Sequence, residues 1–195
     1  MSETTFDYHG VELAYFDHLY NITFLNERRV EIAVAHHRLG QLESPWHRDG
    51  GLEVGNVLGH YEMRCHRVFD LYEQPAWYQD CQKVHAVDIL KFLDVEHPMF
   101  PWVISISTVE HTEDPVGAIE ALRSMVAPGG WLLVTFPTGV NDELDELIQW
   151  CDQTFTRWCT MSRDGEGWRQ DVKPVISPYG PWANSVAICE WEAPS

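Results

Sequence analysis

The sequence predicts an α/β protein: a Rossmann-like, mostly parallel seven-stranded sheet with helices on both faces and an antiparallel C-terminal hairpin. Three observations carry this. Short apolar runs alternate with segments of helical period, the pattern of strands joined by crossover helices. Trp102-Val103-Ile104-Ser105-Ile106-Ser107 is apolar almost throughout, as a central parallel strand covered on both sides should be. Leu52-Glu53-Val54 runs straight into the glycine-bearing turn Gly55-Asn56-Val57-Leu58-Gly59-His60-Tyr61, the kind of strand-to-helix turn at which such sheets hold a nucleoside.

The elements follow in order. Residues 1–45 read as an aromatic-rich arm (Phe6, Tyr8, Tyr15, Phe16, Tyr20) and a helix from about Asn26 to Leu39, contributing a cover to the active site of a single domain, 1–195. Thr23 and Glu27 make a loose helix start. Arg28 and Glu31, three apart, share a face and form either a solvated ion pair or a site where Arg28 reaches a ligand carboxylate. After the glycine turn, Tyr61 to Cys65 reads as a short helical segment. Arg67 to Tyr72 is the second strand, with Asp70 near its end and Glu73 just beyond. An acid about fifteen to twenty residues past the turn can accept both ribose hydroxyls, so these two compete for that role. Gln82 to Ile89 is the third strand and its exit. There Asp88 can accept an adenine amino group or cap the next helix, and Ile89 can cover the ring.

The fourth strand ends in Ser107-Thr108-Val109-Glu110-His111, polar groups at the sheet's ligand edge. Asp114-Pro115 is a cap with proline in the first turn of a helix carrying Val116, Ile119, Leu122, Met125 and Val126. Pro128-Gly129-Gly130 stops it, and Trp131 to Phe136 is the fifth strand. Asn141 caps a helix whose stripe is Leu144, Leu147, Ile148, Cys151 and Phe155. Val172 to Ser177 and Ser185 to Trp191 read as the closing hairpin.

Bulk properties exclude several classes. The 195 residues are 45% hydrophobic and 22% charged, with a formal net charge of -17. That field repels nucleic-acid backbones and anionic membranes, and favours a neutral or cationic substrate. No apolar run spans a bilayer, and the first residues lack a signal-peptide pattern, so a cytoplasmic protein is expected. Five scattered cysteines (Cys65, Cys81, Cys151, Cys159, Cys189) read as free thiols. His36-His37 and His47 lack ligand spacing, so no metal is expected.

The glycine spacing narrows the ligand further. A dinucleotide fingerprint needs glycine where this chain has Val57, whose branched side chain would crowd a pyrophosphate. A ligand carrying adenosine without phosphates, as S-adenosylmethionine does, suffers less.

These residues resemble the class I S-adenosylmethionine-dependent methyltransferases over about Thr23 to Glu192. The most specific part is Ser107-Thr108-Val109-Glu110-His111, then Asp114-Pro115, then Ala127-Pro128-Gly129-Gly130-Trp131-Leu132-Leu133-Val134. The resemblance implies that Glu53, Gly55, Asn56, Val57 and Gly59 belong to the cofactor turn. It matches Asp70 or Glu73 to the ribose acid, Asp88 and Ile89 to the adenine contact, and Ser105 and Ser107 to the flank of the methionine part. Val57, Leu58 and His60-Tyr61 depart from the usual pattern. With Asn26 to Ile32, the turn is similar to small methyltransferases associated with glycan biosynthesis. The reaction implied is displacement at the sulfonium methyl, with O-methylation of a small molecule or glycan expected, His111 as the first candidate base and His60 the second. Two alternatives stand beside it: a methyltransferase-fold partner protein without activity, and a nicotinamide enzyme, which Val57 disfavours. The acceptor and the oligomeric state are not legible.

Overall fold

The computed structural model describes residues 4–18, 26–42, 50–61, 66–73, 77–78, 82–92, 96–165 and 167–195. The arm forms a hairpin, β1 (Thr5–Tyr8) and β2 (Val11–Ala14), with Phe6 opposite Leu13. His9 and Gly10 turn it at positive φ. Helix α1 (Arg28–Gly40) follows, packed between β2 and the central strand described below. Because it is covered on two sides, Val30, Ile32, Ala33, Val34, Ala35 and Leu39 are all buried, and no single apolar stripe is needed.

The main sheet then builds outward from β3 (Leu52–Val54). On one side lie β4 (Arg67–Asp70), β6 (Gln82–Ala86) and the two-residue edge strand β5 (Trp77–Tyr78). On the other lie β7 (Phe100–Ile106), β8 (Val126–Pro137), β11 (Ser185–Glu192), β9 (Arg157–Asp164) and β10 (Gly167–Gln170). The order is β10-β9-β11-β8-β7-β3-β4-β6-β5. β6, β4, β3, β7 and β8 run parallel to one another, whereas β11 is antiparallel to both β8 and β9, and β5 is antiparallel to β6. Six of the seven expected strands are present, β9 takes the place of the one expected at residues 172–177, and β10 and β5 extend the sheet to nine. The chain leaves β3 for one side and returns to the other at β7. That reversal opens a crevice at the carboxyl ends of these strands.

Helices cover both faces. α1 and the arm bury Trp102, Ile104, Ile106, Leu133 and Ile188 on one face. On the other, α3 (Pro115–Ser124), α4 (Asp142–Ile148) and α5 (Cys151–Thr154) bury Val103, Leu132, Val134, Ala187 and Cys189. Each such fully buried aliphatic side chain contributes about 1.5–3 kcal/mol. The expected caps hold: Asp114 accepts from the Gly117 N–H at 2.7 Å, and Asn141 from Glu143 and Leu144. Gly51 lies against the Trp102 indole, where a Cβ would sit 1.9 Å from the ring.

Four expectations are corrected. The hairpin partner of β11 is β9, not residues 172–177, which run irregularly and tie back through the Ser177 N–H to Thr138 Oγ1. Pro128-Gly129-Gly130 does not precede the fifth strand but bulges within β8, where Phe100 pairs with Val126 and Trp102 with Trp131. The helix after Asn141 breaks at residues 149–150 into α4 and α5, although its stripe of Leu144, Ile148, Cys151 and Phe155 is buried as expected. The short helix after the glycine turn is α2 (Val57–His60), earlier than expected. Residues 62–65, Thr23, His47, Cys65 and Cys81 lie outside the described residues. Cys151, Cys159 and Cys189 are buried free thiols. Trp102 and Trp168 are core residues. Among the described residues, no helix is long and apolar enough to cross a membrane.

Candidate active site

The crevice holds a pocket of about 460 Å³, within the ordinary range for small-molecule sites. The ends of β3, β4, β6 and β7 and the loops beyond them form its walls. The local sequence makes each wall. Gly55 adopts φ +81, and a Cβ there would lie 2.0 Å from Thr108 Oγ1. Only glycine lets β3 turn so closely under the β7 loop. Ser107 ends β7 at φ 39, a left-handed conformation that costs a non-glycine residue about 1–3 kcal/mol. This strained residue sits in the pocket wall.

Asp70, at the end of β4, accepts three backbone N–H groups: Asn56 at 3.2 Å, Tyr72 at 2.8 Å and Glu73 at 2.9 Å. It thereby locks the β4 loop to the glycine turn. Glu73 accepts from Asn56 Nδ2 at 2.6 Å and meets His60 Nε2 at 3.0 Å. Asp88 accepts from the Leu90 N–H at 3.1 Å, so it caps the 3-10 turn Ile89–Phe92 while also lining the pocket. The capping reading of Asp88 therefore holds, and the residue also stands in the pocket wall. The wall carries Asp70, Glu73, Asp88 and Glu113 together with His60 and His111, and among the described residues it has no lysine or arginine. Such a site favours a cation and rejects a pyrophosphate.

Of the expected residues, Gly55, Asn56, Val57, His60, Asp70, Glu73, Asp88, Ile89, Ser107 and His111 are brought together here. Four are not. Glu53 is fully buried, with Oε1 on the Leu58 N–H at 2.5 Å and Oε2 on His66 Nε2 at 2.6 Å; it braces the turn from behind. Gly59 lies inside α2 and does not line the pocket. Ser105 is buried within β7, two residues short of the rim. Arg28 does not reach the pocket and instead pairs with Glu31 at 2.5 Å. That pair is not a solvated one, because Glu31 is fully buried and also accepts from Ser107 Oγ at 2.7 Å and Thr135 Oγ1 at 2.6 Å. His111 is 69% exposed, with Nε2 3.7 Å from Glu110 Oε1.

Sequence reasoning missed Tyr72, Thr108, Thr112 and Glu113 in this wall. Their positions just past the ends of β4 and β7 were the available signal. The Glu110 carboxyl is buried and pushed up to about 8, chiefly by desolvation.

No family model matches the sequence, and no curated protein does. Solved structures do. The N-methyltransferase NodS from Bradyrhizobium japonicum WM9, in complex with S-adenosyl-L-homocysteine, superposes with a TM-score of 0.50 at 15% identity, covering 90% of this chain and 96% of that one. A candidate methyltransferase from Bacillus halodurans C-125 gives a TM-score of 0.50 at 9% identity, covering 83% and 98%. A complex of the Haloferax volcanii Trm112 methyltransferase activator with a candidate methyltransferase gives a TM-score of 0.50 at 14% identity, covering 83% and 89%. The chain has the Rossmann-like methyltransferase fold that these structures share.

Proposed function

We propose that this chain is an S-adenosylmethionine-dependent methyltransferase, residues 1–195 acting as one cytoplasmic domain on a small-molecule or glycan acceptor. The observation that carries the reading is the acid-lined pocket free of lysine and arginine among its described residues, set at the topological reversal of the sheet. The NodS structure, a complex with S-adenosyl-L-homocysteine, supports the same ligand here. The donor set also fits it. Asp70 faces the pocket with lone pairs left for ribose hydroxyls, Asp88 suits an amino group, and Ile89 supplies an apolar cover. Four carboxylates suit a ligand with a sulfonium and an ammonium.

When bound, that cofactor supplies an electrophilic methyl group. The chain's own residues do the rest. The Gly55 turn brings backbone close to the ligand, Asp70 fixes its orientation, and Ser107 marks the wall nearest the acceptor side. His111, exposed at the rim, is the group positioned to pass a proton to solvent. His60 is held by Glu73 and serves the pocket mouth. The arm contributes a cover: Phe16 and His18 pack edge-on against Tyr61, just past the glycine turn. Titration with S-adenosylhomocysteine tests the reading; micromolar binding supports it, and absence of binding at millimolar ligand removes it.

A further inference from the structure

Beside the pocket, behind Ser107, three carboxylates and one guanidinium gather. Glu27 and Glu31 come from the start of α1, Arg28 lies between them, and Glu110 comes from the 3-10 turn Val109–His111 after β7. All three acids are buried, and the Glu110 side chain is only 1% exposed. Glu31 is fully used by Arg28, Ser107 and Thr135. Glu27 and Glu110 are different: each has its Oε2 buried with no hydrogen-bond partner among the described residues. A buried polar atom left unpaired costs about 1–3 kcal/mol, and more when charged. Here two of them share one group of charges, against Arg28 and the His111 ring at 3.7 Å.

Two tyrosines face the same acids. The Tyr179 hydroxyl is pushed up by burial and by Glu27, Glu110 and Glu31, and the Tyr61 hydroxyl by burial and by Glu31 and Glu27, with Arg28 opposing in both. Tyr179 is 47% exposed. The Ser107 side chain, bonded to Glu31, belongs at once to this group and to the wall of the neighbouring pocket.

We infer that Glu27 and Glu110, flanked by Tyr61 and Tyr179, form the acceptor site, and that the acceptor is an amine bound as its ammonium. The inference rests on the neighbouring pocket holding the methyl donor. An ammonium supplies the missing N–H donors and the missing positive charge, and aromatic faces favour it further. An alcohol would satisfy an oxygen but leave the charge; a carboxylate or phosphate would be repelled. The amine must lose one proton before it can act as a nucleophile. R–NH3+ gives that proton to the Glu110 carboxylate, leaving R–NH2 with its lone pair and Glu110 as the neutral acid. Glu110 then returns the proton to solvent by way of His111. Burial, followed by the effects of Glu31 and Glu27 and opposed by its own backbone N–H and Arg28, brings Glu110 to about 8. That lies close enough to an amine of pKa about 10 for the transfer to be accessible.

The test uses the full chain, with n-butylamine and n-butanol as probes and S-adenosylhomocysteine titrated separately. Butylamine is expected to bind about tenfold or more tightly than butanol, with Glu110→Gln erasing most of that preference. In the wild type, the Glu110 carboxyl, followed by NMR with carboxyl-labelled glutamate, is expected to titrate near pH 8 and to shift to lower pH when butylamine is added. S-adenosylhomocysteine affinity is expected to be the same in wild type and Glu110→Gln. If the two probes bind equally, or neither binds, or the Glu110 midpoint does not move, while S-adenosylhomocysteine still binds, the amine site is refuted and the methyltransferase reading stands. If S-adenosylhomocysteine fails to bind, the reading falls and takes this inference with it.

Discussion

Two groups of carboxylates meet at Ser107, and they are built in opposite ways. In the pocket wall, Asp70 accepts three backbone N–H groups and Asp88 accepts one, each at a strand end where the loop supplies donors. Those acids are half-exposed and shape the loops even when no ligand is bound. On the other side, Glu27 and Glu110 are buried, and each holds one oxygen without a donor. The first group is satisfied by the fold; the second is completed only by something added. The contrast separates the proposed cofactor site from the proposed amine site.

The largest expected effect breaks the cofactor side. Gly55→Ala places a Cβ 2.0 Å from Thr108 Oγ1 at φ +81. It should weaken S-adenosylhomocysteine binding by about a hundredfold or more, read by calorimetry with circular dichroism to confirm the fold. Adding Thr108→Ala should recover part of that loss, because it removes the overlap and leaves the strain.

The next sharpens the acid side through stability. Glu110 has an ordinary value of 4.5 and sits near 8 in the folded chain. Between those values the native state holds a proton that the unfolded chain has lost. Stability therefore falls as pH rises from about 4.5 to 8, and the loss is complete above 8. Glu110→Gln lacks this dependence. Relative to wild type, it should gain stability between pH 5 and pH 9, on the order of 2–4 kcal/mol, in urea melts. A gain of the opposite sign would mean that Glu110 is stabilised as a charge.

Smaller effects follow. Asp70→Ala should weaken S-adenosylhomocysteine binding about tenfold or more, beyond the loss of loop bonds seen as a lower Tm. An unchanged constant would move the ribose role to Glu73. His60→Ala removes an exposed partner of Glu73 and should change affinity by less than about fivefold. A larger change would bring His60 into the binding machinery.

The fold was legible because its signals are local. The apolar strand runs, the Asp114-Pro115 start and the Asn141 cap are each written in a few neighbouring residues, and all appear where expected. The errors came from tertiary pairing. Whether β11 takes β9 or residues 172–177 as its neighbour depends on register across the sheet, and both candidates have strand-like composition. The pocket was legible for the same reason as the strands, since its residues sit at strand ends. Glu53 and Ser105 were misread because sequence gives the strand but not which side chain reaches the rim. The group around Glu110 was not legible at all. Glu27, Tyr61, Glu110 and Tyr179 are widely separated in the chain, and each alone looks like an ordinary loop or helix-end residue.

The most direct measurement is calorimetric titration of the wild-type chain with S-adenosylhomocysteine and, in parallel, with a nicotinamide dinucleotide. The account predicts micromolar binding of the first and none of the second, whose pyrophosphate would meet Val57 and four carboxylates. Binding of the dinucleotide, or silence toward S-adenosylhomocysteine at millimolar concentration, would contradict it.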